Sequence, residues 1–208
     1  MKITVLTAYT DNFRYFAQEG VINKLSYCHK HMYSFICEIN FHDYVSPQNG
    51  FSAVRAPSWS KILFAKRHLP SCDWLFWTDA DSIITNFDTR LETFIDENYN
   101  FIITKDINGM NGGHWFIKNT PWSYEFLDDV WAQESRIDHV WWEQQAIMDV
   151  YDKYKEKIKI VPNKLFNAYP DSWEEGDFLI HFPGPALQAW GAEKHELMEK
   201  WKSRVRNQ

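Results

Sequence analysis

Cysteine is scarce and badly placed for cross-links. Cys28, Cys37 and Cys72 are an odd number with no C-x-x-C spacing, which fits reduced thiols in the cytoplasm better than a disulfide framework. Cys28 stands beside His29 and near His31, but no second ligand pair follows, so a zinc site is not indicated. Positive charge is also in deficit. A net charge of −6 argues against a nucleic-acid surface and against anchoring to anionic lipid. A phosphate-bearing ligand would need a metal or a local cluster of Lys and Arg. No apolar run is long enough to span a membrane, and the opening Met1–Thr7 reads as a strand, not as a signal peptide. The expectation is a soluble, cytoplasmic chain, or the soluble domain of a longer one. Repeats, low-complexity tracts and interdomain linkers are missing too, so the 208 residues are expected to form a single domain with a sizeable core.

Aromatic residues, by contrast, are plentiful: 17% of the chain, with 11 Trp. Flat apolar faces are what sugar rings stack on, although core filling accounts for most of them. The stretch that organises the rest is Asp73-Trp74-Leu75-Phe76-Trp77-Thr78-Asp79-Ala80-Asp81. Its four apolar residues read as a central strand buried on both faces. Two carboxylates follow where that strand should end, and ligands of open α/β sheets collect outside the carboxyl ends of strands. In extended backbone, residues i and i+2 point the same way, so Asp79 and Asp81 are expected to converge. Converging carboxylates call for a cation between them, and oxygen ligands in a partly hydrated site suit Mg²⁺ or Mn²⁺.

The remaining pattern alternates. Strands are expected at Ile3–Ala8, Phe35–Phe41, Phe101–Thr104, Trp115–Ile117, Ile158–Val161 and Asp177–Phe182. Helices are expected at about Gln18–Tyr33, with Val21, Ile22, Leu25 and Cys28 at helical spacing, and at Trp59–His68 behind a Ser58 N-cap. Further helices are expected at Pro121–Trp131, Asp138–Tyr151 and Leu187–Arg204. Pro47, Asn49 and Gly50 mark a loop, and Asn108–Gly113 reads as a glycine-rich turn. Strands alternating with helices imply a mostly parallel α/β sheet. His181 ends an apolar strand as Asp81 does, and a nitrogen ligand beside carboxylates favours Mn²⁺ over Mg²⁺. Lys61 and Arg55 read equally as phosphate ligands or as solvated cations. Tyr9 reads as a base-stacking or a packing residue. Glu143 and Gln144 read as a helical surface pair or as groups facing the site from a helix start.

Taken in order, several motifs add up to a resemblance. They are Asn23-Lys24-x-x-Tyr27-Cys28-x-x-His31-Met32-Tyr33, Trp59-Ser60-Lys61, Trp77–Asp81 with Ile84 and Asn86, and Asn111-Gly112-Gly113. Trp122 with Phe126-Leu127, Glu143-Gln144, Asn167–Pro170 and His181–Gly184 complete the set. The chain resembles, over roughly Asn23 to Gly184, the galactosyl/mannosyl-transferase family of fungal α-galactosyltransferases and mannosyltransferases and plant xyloglucan xylosyltransferases. Its compact, anchorless form is also similar to the glycosyltransferase domain of a large algal-virus protein that decorates the capsid. The resemblance implies a GT-A (Rossmann-like) fold, a nucleotide-sugar donor (a UDP-sugar first, a GDP-sugar second), a glycan or glycoprotein acceptor, Mn²⁺ or else Mg²⁺, and retention of the anomeric configuration. It implies Asp79, Asp81 and His181 around the metal. Thr7, Ala8, Tyr9, Arg55, Lys61, Ala80 and Gly184 would lie about the nucleotide and its phosphates, and Asn111, Gly112, Glu143 and Gln144 would face donor sugar and acceptor. The family often has Asp where this chain has Glu143. Members usually carry a membrane anchor, so Golgi residence does not follow.

Two other readings compete. Asp79-Ala80-Asp81 also resembles the nucleophile-plus-acid pair of haloacid-dehalogenase phosphatases, but that motif follows the first strand and continues to Thr or Val where Ile83 stands. A non-catalytic sugar-binding module would suit the aromatics and leave the Asp pair and His181 unexplained.

Overall fold

A computed structural model describes residues 1–39, 54–183 and 191–205. The chain opens with β1 (Ile3–Tyr9), helix α1 (Arg14–His31) and β2 (Ser34–Ile39). Helix α2 (Ser60–His68) then leads to β3 (Trp74–Thr78), a short β4 (Ser82–Ile84) and a hairpin of β5 (Phe101–Asp106) and β6 (Gly109–Lys118). Helices α3 (Pro121–Trp131) and α4 (Trp142–Tyr154), strands β7 (Ile158–Pro162) and β8 (Leu179–His181), and helix α5 (Gly191–Lys202) complete it. Six strands make one sheet in the order β2-β1-β3-β6-β5-β7. Three of its five pairings, β1–β2, β1–β3 and β5–β7, are parallel, so the mostly parallel α/β architecture holds.

All five residues of β3 are buried, as a strand covered on both faces should be. Period-two alternation divides them. Leu75 and Trp77 enter a core shared with α2, α3 and α4, while Trp74 and Phe76 enter a second core that includes Tyr27 and Cys28 of α1. Each such side chain contributes about 1.5–3 kcal/mol by leaving water, and the two cores together fix where β3 ends.

Several expectations fail at particular points. The glycine-rich stretch is not a turn throughout. The turn is Ile107-Asn108, closed by Gly109 at φ +108°, and Gly112 and Gly113 already lie within β6, antiparallel to β3. Ser58 caps nothing: Pro57–Trp59 form a short 3₁₀ turn ahead of α2, and the Ser58 hydroxyl has no hydrogen-bond partner. Helix α4 begins at Trp142, not Asp138. The last strand shrinks to Leu179–His181 and pairs antiparallel with β4 in a separate two-stranded sheet. Helix α1 forms, with Cys28 of its expected apolar stripe buried but Ile22 and Leu25 turned outward. Its buried face is Ala17, Gly20, Asn23, Lys24, Tyr27, Cys28 and His31, whereas Ile22 and Leu25 are 56% and 52% exposed. The expected loop at Pro47–Gly50 and the end of the second strand at Phe41 lie outside the described residues, as does the start of the last helix.

Candidate active site

β3 delivers Asp79 to its carboxyl end, but the chain then bends at Ala80 and Asp81 before β4. The two carboxylates therefore converge through a bend and not through extended backbone. The Asp79 amide, donating to the Gly113 carbonyl at 2.9 Å, ties this bend to β6, and the Phe182 amide donates to the Asp81 carbonyl at 2.9 Å. From β8, held against β4 by the pairing of Ser82 with His181, the imidazole of His181 reaches the same point. Ligand atoms of Asp79, Asp81 and His181 all lie within 4.8 Å of one another.

The imidazole is oriented from behind. His181 Nδ1 lies 2.7 Å from Asn167 Oδ1, while Asn167 Nδ2 donates to Asn163 Oδ1 at 2.5 Å and to Thr104 Oγ1 at 3.2 Å. A carbonyl oxygen only accepts, so Nδ1 carries the proton and Nε2 presents its lone pair. Nε2 is buried without a hydrogen-bond partner, 3.3 Å from Asp81 Oδ1. An orphaned imidazole nitrogen facing two carboxylates, its other nitrogen tied to an amide, is the donor set a divalent cation takes. Gly113 makes room for the ring: a Cβ there would stand 2.5 Å from His181 Cε1.

Cationic groups flank the carboxylates. Lys61 is buried, with Nζ 3.2 Å from Asp79, 2.8 Å from Glu143 Oε1 and 3.0 Å from the Gly112 carbonyl. Burial alone would push its pKa down, but the two carboxylates outweigh burial and hold it above the ordinary range. Asp79 is raised by its own burial against the opposing pull of Lys61. In Asp81 burial is overcome by the Lys194 ammonium, which holds the carboxylate well below the usual range. Lys194, from α5, is 6% exposed, and its Nζ stands 2.6 Å from Asp81 Oδ2.

Behind the bend, the inward polar face of α1 grips backbone. Asn23 exchanges two hydrogen bonds with Ile84 at 3.0 and 2.7 Å, Tyr27 donates to the Thr89 carbonyl at 2.6 Å, and His31 donates to that of Phe87 at 2.6 Å. Lys24, wholly buried, donates to the Ser82 carbonyl at 2.7 Å. Its burial pushes the pKa from 10.5 down to about 7 against the attraction of Asp81 and Asp79. Between those values the unfolded chain holds a proton that the folded chain releases, so stability rises with pH across that window and is flat with respect to this group below it. Denaturant titrations from about pH 7 to pH 10 should show this as stability rising with pH, a rise absent in Lys24→Met measured in parallel.

These groups open into one pocket of about 360 Å³. Ala8, Tyr9, Lys61, Asp79, Ala80, Asp81, Asn111, Gly112, Glu143, Gln144 and His181 line it, as the sequence leads one to expect. Gln144 Oε1 accepts the Gly112 amide at 3.0 Å, and Asn111 is braced by Asp106 and Tyr169, each 2.9 Å from its Nδ2. Two expected residues are not brought there. Thr7 is fully buried and does not line the pocket, whereas Thr10, just after β1, does. Arg55 is not among the pocket-lining residues; its guanidinium lies 4.6 Å from the ring of Trp59 and 4.1 Å from that of Trp131, a cation–π clamp. Gly184 lies outside the described residues. Sequence reasoning missed Lys194, whose only signal is one cation among several on an amphipathic helix. It also missed Trp141 and Trp142, which look like more core aromatics.

With this geometry in hand, likeness to known proteins is informative. The family model for the galactosyl transferase GMA12/MNN10 family matches residues 3–97 and 94–188. The chain belongs to that family. This family member is 26% identical to an alpha-1,2-galactosyltransferase of Schizosaccharomyces pombe, over 81% of this chain and 56% of that protein. It is also 26% identical to a probable alpha-1,6-mannosyltransferase, MNN10, of Saccharomyces cerevisiae, over 91% of this chain and 62% of that protein. It thus spans a little over half the length of these relatives. Its fold is similar to that of a glycosyltransferase involved in glycosylation of the major capsid of PBCV-1, at a TM-score of 0.76 and 18% identity, over 96% of this chain and all of that one. The galactosyltransferase LgtC, solved with donor and acceptor sugar analogs, follows at a TM-score of 0.55 and 14% identity, over 97% and 100%. The fold is of the GT-A type, and nothing among these relatives supports the phosphatase reading.

Proposed function

We propose that this family member is a metal-dependent glycosyltransferase, working as one catalytic unit. It moves a sugar from a nucleotide-sugar donor, a UDP-sugar in preference to a GDP-sugar, to a glycan or glycoprotein acceptor, with retention. The observation that carries the reading is the convergence of Asp79, Asp81 and the lone pair of His181 Nε2 at the floor of a pocket flanked by two buried lysines. Asp79, Asp81 and His181 hold the cation, Mn²⁺ from the mixed oxygen and nitrogen set, with Mg²⁺ as the alternative. When bound, the ion supplies Lewis-acid neutralisation of the departing nucleoside diphosphate.

The chain's own groups do the rest. Ala8, Tyr9 and Thr10, on the β1 side of the pocket, take the nucleoside. Lys61 fixes the orientation of Asp79 and carries positive charge toward the phosphates. Asn111, Gly112, Glu143 and Gln144 face the transferred sugar and the acceptor, held by the hydrogen bonds and ion pair that brace them. The apolar walls of the pocket keep water from the donor. The three cysteines are unpaired, which supports cytoplasmic residence.

Calorimetric titration of UDP and GDP, with and without Mn²⁺, tests the reading. Metal-dependent binding of UDP is the expected result, and absence of binding for both nucleotides in the presence of metal sinks it. Lys194 gives a second check. Its ammonium occupies Asp81, so Lys194→Met should bind Mn²⁺ alone more tightly than wild type. The same variant loses a charge-assisted contact to the diphosphate and should bind UDP–Mn²⁺ about tenfold to a hundredfold more weakly. Opposite signs in the two titrations are the signature.

A further inference from the structure

Residues 138–142 turn sharply ahead of α4. The Trp141 amide donates to His139 Nδ1 at 3.2 Å and the Trp142 amide to the His139 carbonyl at 2.9 Å, and Trp142 takes a φ of +42°. A bulky side chain stays in that region only where its surroundings hold it. The turn sets Val140, Trp141 and Trp142 along the pocket while the next residue, Glu143, drops to its floor. Val140 is 63% exposed, and Trp141 meets the ring of His139 edge-on. This apolar rim is therefore presented to whatever enters above Glu143.

Glu143 adds an independent observation. It is 4% exposed. One carboxylate oxygen, Oε1, pairs with Lys61, but Oε2 is buried with no hydrogen-bond partner. A buried acceptor left without a donor is unfavourable, and a ligand hydroxyl removes the penalty. An apolar aromatic wall beside an unsatisfied acceptor matches the two surfaces of a pyranose, its C–H face and its hydroxyls. The Lys61 ammonium bridges Glu143 and Asp79, and Glu143 is not one of the converging metal-type ligands.

We propose that the Val140–Trp142 rim is the subsite for the pyranose ring of the acceptor, with a ring hydroxyl donating to Glu143 Oε2. The assignment rests on the transferase reading and extends it to which wall recognises the acceptor. Pyranose-terminated glycans are the ligand class it selects.

The test is ¹⁹F NMR of the full chain labelled with 5-fluorotryptophan, the resonances of Trp77, Trp141 and Trp142 being assigned with single Trp→Phe variants. Trp77 lines the same pocket and reports the nucleotide. With UDP and Mg²⁺ present, methyl α-D-galactopyranoside or methyl α-D-mannopyranoside should shift Trp141 or Trp142 saturably. Glu143→Gln should weaken that response about tenfold. If Trp77 responds to UDP but neither pyranoside moves Trp141 or Trp142, or if they move only with an intact nucleotide sugar, the subsite is wrong and the transferase reading stands. If neither UDP nor GDP moves Trp77, both fall together.

Discussion

Asp81→Asn should abolish the metal dependence of nucleotide binding while leaving the chain folded. The substitution keeps the shape of the side chain and an oxygen for Lys194, 2.6 Å away, but removes one of two carboxylate charges from a three-ligand cluster. Loss of an outer-shell partner of a metal ligand typically lowers affinity by about ten- to a hundredfold, so loss of a ligand charge should exceed a hundredfold. In calorimetry, wild type with Mn²⁺ removed by chelator should match Asp81→Asn with Mn²⁺ present. The apo variant should melt below the apo wild type, because the amide leaves the buried Lys194 ammonium without its counter-charge, and it should still show a cooperative melt. Retained Mn²⁺-dependent UDP binding in the variant would show that the Asp79–Asp81–His181 convergence is an ordinary buried ion-pair network.

How much of this was legible beforehand depended on whether a residue's role leaves a local trace. β3 did, because burial on both faces forces four consecutive apolar residues, and two acids directly after them have few structural uses. The ordered motif set carried the GT-A fold and most of the pocket lining. What stayed hidden was set by tertiary contact. The spacing of Val21, Ile22 and Leu25 predicts a helix, and the helix forms, but much of its inward face is polar, because α1 packs on carbonyls of the Ser82–Thr89 segment as well as on core side chains. Asn23, Lys24, Tyr27 and His31 bond to backbone, a demand that hydrophobic periodicity does not register. Gly112 and Gly113 read as a turn because glycine is rare within strands. Here Gly113 admits the ring of His181, from a strand far along the sequence. Arg55 reads as a phosphate ligand until Trp59 and Trp131 are seen on either side of it. Lys194 follows a stretch with no motif at all, and only the docking of α5 on α1 and β4 brings it to Asp81.

Gly20→Ala should reverse the usual sign of that substitution. In an exposed helix interior, replacing glycine with alanine stabilises by about 1 kcal/mol. At Gly20 the added Cβ would stand 2.0 Å from the Ala80 carbonyl oxygen and 2.8 Å from that of Ser82. Both obstacles are backbone, in the bend between Asp79 and β4, so no rotamer change relieves them. Either α1 withdraws or the bend moves. Withdrawal strains the Asn23–Ile84 and Lys24–Ser82 bonds, each contributing about 1 kcal/mol, on top of an overpacking cost of about 1–3 kcal/mol. A net loss of roughly 3 kcal/mol lowers Tm by roughly 6–12 °C in a chain of this size. Movement of the bend displaces Asp79 and Asp81 from His181, and Mn²⁺ affinity falls with stability. The two responses separate by measurement: a melt that drops while Mn²⁺ binding to the folded protein is unchanged means that α1 withdraws alone, whereas loss of both means that the helix is the seat on which the carboxylate pair is held. The five bonds from α1 to the Ser82–Thr89 backbone favour the second outcome. An unchanged melt would mean that α1 approaches the bend less closely than Gly20 indicates.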